Sequence, residues 1–133
     1  MLTEILKLTT SALADIVAAM INIQQLANQF KVFSEPVRLR ILHLLLESGE
    51  LCVCDLMQSL QLTQSVVSRH LAYLKKQQFI NDRRDGLWVF YKINPTQPSI
   101  IKQLLENYQT YASNSIELKR DLEQLSVKKN VCS

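Results

Sequence analysis

Leu62-Thr63-Gln64-Ser65-Val66-Val67-Ser68-Arg69-His70-Leu71 is the stretch whose reading decides the fold. Thr63 is a capping residue type, because its hydroxyl oxygen accepts from a first-turn N–H. Behind it, Val66, Val67, Leu71 and Leu74 recur at helical spacing and form an inward face. Gln64, Ser65, Ser68, Arg69 and Tyr73 fall towards the other face. Just upstream, Leu56, Met57 and Leu60 mark a short helix that turns at Gln61-Leu62. Two short helices joined by a tight turn predict a helix-turn-helix, whose second helix enters the major groove of DNA.

Downstream the period changes. Phe79–Arg84 and Leu87–Ile93 are rich in aromatic and β-branched residues and read as strands. Asp85-Gly86 between them is the expected hairpin turn, because glycine supplies the positive φ of a primed turn. A basic hairpin directly after a helix-turn-helix predicts a wing. The charge distribution agrees. Between residues 61 and 92, Arg69, Lys75, Lys76, Arg83, Arg84 and Lys92 face only Asp82 and Asp85, an excess of four, whereas the whole chain carries only +3.

Flanking segments are helical. Ser34-Glu35-Pro36 starts a helix, with Ser34 as cap, Glu35 at the positive end of the dipole and proline in the first turn. That helix runs through Leu39, Ile41, Leu42 and Leu44–Leu46 to a C-cap at Ser48-Gly49, and His43 within it is expected to be structural. Residues 2–32 predict one amphipathic helix or two, with Thr10 or Ser11 able to start the second. After Pro95 and Pro98, residues 99–125 predict a long helix capped by Ser99, open to interruption at Ser113-Asn114-Ser115. The tail, 126–133, is polar apart from Val127 and Val131. The fold expected is mainly α with a small β-hairpin wing. It is a single winged helix-turn-helix domain over 1–133, with a DNA-binding core at 34–93 and helices at both termini, 1–32 and 99–125, forming a dimer interface.

At 47% hydrophobic and 20% charged, the 133-residue chain has the composition of an ordinary globular domain. No apolar run approaches the roughly 18–20 residues that span a bilayer. Met1-Leu2-Thr3-Glu4 lacks a basic stretch, so no export signal is expected. Three cysteines make an odd count, matching free thiols in a reducing, cytoplasmic compartment.

Cys52 and Cys54 stand one residue apart where a loop becomes the first helix of the motif. Soft thiolates select soft ions. In a regular helix, side chains at i and i+2 diverge by ~200°, so one shared ion needs extended or distorted backbone there. From spacing alone, a pair of small buried hydrophobes is an equal reading. For DNA, Gln64, Ser65, Ser68 and Arg69 carry the chemistry that reads base edges and phosphates. His70 suits a phosphate contact or packing, and Arg83 and Arg84 suit phosphates or the minor groove.

Glu50-Leu51-Cys52-Val53-Cys54-Asp55-Leu56 resembles the signature of arsenical-resistance repressors in the ArsR/SmtB family. Ser65–Leu71 resembles that family's recognition helix, and Asp82–Tyr91 its wing. The similarity covers roughly residues 30–95. It implies a homodimeric repressor, not an enzyme, that binds double-stranded operator DNA and is released when As(III) or Sb(III) binds Cys52 and Cys54, with no organic cofactor and no membrane partner. The family pattern places a third cysteine three residues after the second; here Met57 stands there. Cys132 is a candidate third ligand.

Three other readings remain open. A redox- or persulfide-responsive repressor on the same fold needs only the thiol pair. A zinc sensor needs four ligands, and residues 99–125 contain no histidine. A thiol oxidoreductase is expected on a βαβ scaffold, which this pattern lacks.

Overall fold

The computed structural model describes residues 21–128, with side chains to Leu125. The chain divides into two compact units, Met1–Lys31 and Val32–Ser133. In the first, helix α1 spans Ile23–Lys31. The expectations for residues 2–20, including a cap at Thr10 or Ser11, lie outside the described residues, as does most of the tail.

The second unit opens with a 3-10 turn at Val32–Ser34, followed by α2, Pro36–Ser48. The cap is Glu35, not Ser34: its carboxylate accepts from the Arg38 N–H at 2.9 Å. Pro36 sets this boundary. A residue before proline is driven to extended backbone, and Glu35 sits at φ −131°, ψ 127°. Gly49 ends the helix at φ +83°, its N–H bonded to the Leu45 carbonyl.

A strand the sequence did not announce comes next. β1, Leu51–Cys52, leads into α3, Val53–Leu60. Gln61 turns the chain in the left-handed region (φ 57°), and Thr63 caps α4, Gln64–Lys76, by accepting from the Val66 N–H at 3.4 Å. The hairpin follows as β2, Ile80–Asp85, and β3, Trp88–Ile93. Its turn is Gly86-Leu87 rather than Asp85-Gly86, because Asp85 pairs with Trp88 in the last rung. Gly86 takes the positive φ (+60°) at the first central position. The sheet is antiparallel in order β1-β3-β2, with Leu51 opposite Tyr91 and Cys52 opposite Phe90.

The predicted long C-terminal helix is two: α5, Ser99–Ala112, and α6, Ile116–Lys128. Serine chemistry makes the break. The Ser113 hydroxyl bonds back to the Thr110 carbonyl at 2.7 Å, and Ser115 accepts from the Leu118 N–H at 3.3 Å, capping α6. Ser99, expected as a cap, is the first residue of α5, and its neighbour Pro98 occupies the cap position.

The core gathers Ile41, Leu42, Leu44 and Leu45 of α2, Leu56 and Leu60 of α3, Val67, Leu71 and Leu74 of α4, and Phe79, all at most 2% exposed. Ile101 and Leu105 of α5 and Leu125 of α6 join it. A polar fastener ties α6 on. Arg40 of α2 donates to both Asp121 oxygens at 2.9 and 2.8 Å and to the Leu60 carbonyl at 3.3 Å. The Ser59 hydroxyl donates to the Asp121 carbonyl at 2.6 Å. Among the described residues no helix is long and apolar enough to cross a membrane.

Candidate thiol sensor and DNA-reading surface

Cys52 belongs to two elements at once. It is the last residue of β1 and the N-cap of α3, with extended backbone at φ −89°, ψ 168°. One ion shared by both thiols needs extended or distorted backbone, and Cys52 supplies the extended half; Cys54 lies in the first helical turn. The Cys52 N–H donates to Asp55 Oδ2 at 3.3 Å, and its thiol reaches the same oxygen at 3.2 Å. Asp55 therefore holds the turn from inside. It is buried, and its other oxygen has no hydrogen-bond partner. Cys52 is 2% exposed while Cys54 is half-buried, and neither forms a disulfide. Met57 is half-buried and packs against the core.

Two thiols suit a soft ion, but the described residues supply no third thiol. Among them no group of three or more His, Cys, Asp or Glu side chains is arranged to hold a metal ion. Cys132 lies outside the described residues.

On α4, Gln64, Ser65, Ser68 and Arg69 are exposed, as the helical spacing implies, while Val67, Leu71 and Leu74 face the core. His70, grouped with the DNA-facing residues from sequence, lies inward at 8% exposure, with Nδ1 3.8 Å from Glu35 Oε2. Burial lowers its pKa, opposed by Glu35.

The wing arginines differ. Arg83 is committed: its Nε lies 2.9 Å from both Glu50 oxygens, and its guanidinium sits 4.6 Å over the Phe90 ring. That hydrogen bond holds the Glu50 carboxyl below its ordinary pKa. Arg84 is exposed. Lys75 is paired with Asp82 at 2.9 Å, so part of the local positive excess is spent inside the fold. The hairpin tip exposes Leu87 almost completely, with Trp88 partly exposed beside it.

Sequence reasoning missed Glu50 and Asp55 as supports of the thiol turn. Asp55 had a signal, since an acidic residue three after a cap is a capping-box position. Glu50 had none, because its partner lies 33 residues away.

A helix-turn-helix with an exposed polar recognition face, followed by a β-hairpin wing, defines a winged helix-turn-helix DNA-binding protein. Residues 35–82 match the profile of the bacterial regulatory proteins of the arsR family. The chain is 40% identical over 108 residues to the arsenic resistance transcriptional regulator ArsR2 of Pseudomonas putida, covering 77% of this chain and 93% of that protein. The structure resembles reduced HlyU from Vibrio cholerae, with TM-score 0.61 and 30% identity over 70% of this chain and 94% of that one. It also resembles the AntR antimony-specific transcriptional repressor, with TM-score 0.56 and 29% identity over 67% of this chain and 78% of that one. The chain belongs to the ArsR family.

Proposed function

We propose that the protein is a cytoplasmic, homodimeric repressor of arsenical-resistance genes, released from its operator when As(III) or Sb(III) is taken up by Cys52 and Cys54. One observation carries this reading: Cys52 is simultaneously the N-cap of α3 and the partner of Phe90 in the wing sheet. A ligand that pulls the Cys52 thiol away from Asp55 disturbs the first helix of the helix-turn-helix and the wing together. The wing presents residues to DNA, and α3 shares its core contacts with the recognition helix α4, so ligation and operator affinity share one residue. Gln64, Ser65, Ser68 and Arg69 contact base edges and phosphates, and Arg84 contacts the backbone or minor groove. Arg83 orders the wing through Glu50 and reaches DNA only by exchanging that partner. His70 supports α4 from inside. Names of relatives support the inducer class: ArsR2 is an arsenic resistance regulator and AntR is antimony-specific.

The test is operator binding on DNA upstream of the gene, with and without arsenite or antimonite. Wild type is expected to dissociate, and Cys52→Ser and Cys54→Ser to stay bound. If arsenite and antimonite leave the wild type bound, the metalloid reading fails. A weaker response in Cys132→Ser identifies the third ligand; an unchanged one removes Cys132 from the site. A second reading, release by thiol oxidation or persulfidation, needs only the thiol pair, and the described residues hold Cys52 and Cys54 without a third thiol. Release by oxidant but by neither metalloid selects it.

A further inference from the structure

Beside the recognition face of α4 lies a cleft of ≈ 350 Å³ lined by Arg38, Arg69, His70, Ala72, Tyr73 and Lys76. Two elements build it. Arg38 comes from the first turn of α2, outside the helix-turn-helix, and the other residues come from α4. On α4, Ser65, Arg69, Ala72 and Lys76 recur at i, i+4, i+7 and i+11, so the cleft continues the stripe that begins with the expected base-reading residues. Ala72 is exposed and has no bulk beyond Cβ, which leaves the middle of the stripe open to close approach.

Arg38 is held in place. Its guanidinium carbon lies 4.2 Å over the Tyr73 ring, and Nε donates to the Val32 carbonyl at 3.1 Å. Arg69 and Lys76 are exposed on the same side. Burial lowers the His70 pKa, opposed by Glu35 and reinforced by Arg69 and Arg38, so the positive charge of the cleft comes from the arginines and Lys76. Among the described residues, the acid beside His70 is Glu35. Its carboxylate caps α2 through the Arg38 N–H and lies 3.8 Å from His70. Three cations thus surround a small, open concavity on the recognition-helix flank, with the acid engaged at its back.

We propose that this cleft seats a phosphate of the DNA backbone, with Arg38, Arg69 and Lys76 as its cationic contacts. The inference rests on the DNA-binding function proposed above and adds a contact that neither the recognition face nor the wing provides. A backbone clamp beside the reading helix fixes the protein's register on the duplex without carrying sequence information.

Salt dependence tests it. Binding to two unrelated duplexes, one of them not an operator, is measured by fluorescence anisotropy across a KCl series for wild type, Arg38→Gln, Arg38→Lys, Lys76→Gln and Lys119→Gln. Each phosphate contact contributes about 0.9 to the slope of log K against log salt. Arg38→Gln and Lys76→Gln are expected to lower the slope by about 0.9 for each cleft that engages DNA, equally on both duplexes. Arg38→Lys, which keeps the charge, and Lys119→Gln on α6 are expected to keep it. Lys76 is exposed, so its variant reports binding even if Arg38→Gln unfolds, which the melting midpoint shows. Wild-type slopes in both Gln variants overturn the inference. So does an Arg38→Lys slope as low as that of Arg38→Gln, which assigns Arg38 to packing. If wild type binds neither duplex, the DNA-binding function itself falls, an outcome distinct from either of these.

Discussion

Removing the Asp121 carboxylate should destabilise the fold far more than any surface charge change. Asp121 is 1% exposed and takes two hydrogen bonds from Arg40, at 2.9 and 2.8 Å. Deleting one partner of a buried pair typically costs about 3–5 kcal/mol, because the other charge is left uncompensated. Here the cost is reduced. Arg40 keeps 20% side-chain exposure, Glu117 lies 3.7 Å from its Nε, and the Leu60 carbonyl stays within 3.3 Å. Asp121→Ala is therefore expected to lose about 2–3 kcal/mol. At roughly 3–5 °C per kcal/mol for a chain of this size, the midpoint falls by about 6–15 °C. Thermal and urea unfolding followed by circular dichroism, at fixed protein concentration, reads both quantities. Arg40→Leu and the double variant complete a cycle. The double variant should be less destabilised than the sum of the singles, since it leaves no orphaned charge. A loss below about 1 kcal/mol for Asp121→Ala, or a coupling near zero, would refute the claim that this pair fastens α6 to α2 and α3.

Two further outcomes follow from titratable groups. His43 is 2% exposed, and neither ring nitrogen has a hydrogen-bond partner. Burial holds its pKa below the ordinary 6.5, against opposition from Glu47. Unfolding thus takes up a proton below about pH 6.5, stability falls as pH drops through that range, and the loss levels off beneath the folded pKa. His43→Leu should flatten this dependence in urea titrations at several pH values and be neutral or stabilising at pH 7 by up to about 1 kcal/mol. Glu50 sits below its ordinary 4.5, first through its hydrogen bond from Arg83. A depressed carboxyl contributes above its unfolded pKa and loses that contribution as pH falls through the folded value, so the contact between Glu50 and the wing should loosen only in acid. Carboxyl NMR should place the Glu50 midpoint below 4.5 and move it upward in Arg83→Gln.

Where a periodic stretch was long, the sequence was easy to read. The inward row Val67, Leu71 and Leu74 and the outward row Gln64, Ser65, Ser68 and Arg69 alternate over three turns, and the structure keeps both. Short features escaped. A two-residue strand has no period to detect, so β1 was invisible, and with it the pairing of Cys52 to Phe90. The turn slipped by one residue because Asp85-Gly86 and Gly86-Leu87 both offer a glycine at positive φ, and only the rung between Asp85 and Trp88 chooses. Ser34 lost the cap to Glu35 because Pro36 fixes the first helical residue. His70 has a histidine's polar chemistry, but it stands three residues after Val67 and four before Leu74, on the buried face of the helix. The thiol pair was legible as residues and Asp55 as a capping-box acid three residues on, whereas the support from Glu50-Arg83 is tertiary.

The short strand at Leu51–Cys52 also limits how the wing can vary. Phe90 is a pairing partner of Cys52, a platform for the Arg83 guanidinium and a rung of the hairpin all at once. A substitution there cannot retune the wing's fit to DNA in isolation. It also resets the backbone that holds the Cys52 thiol, so the wing's fit to DNA and the setting of that thiol are bound to change as a pair.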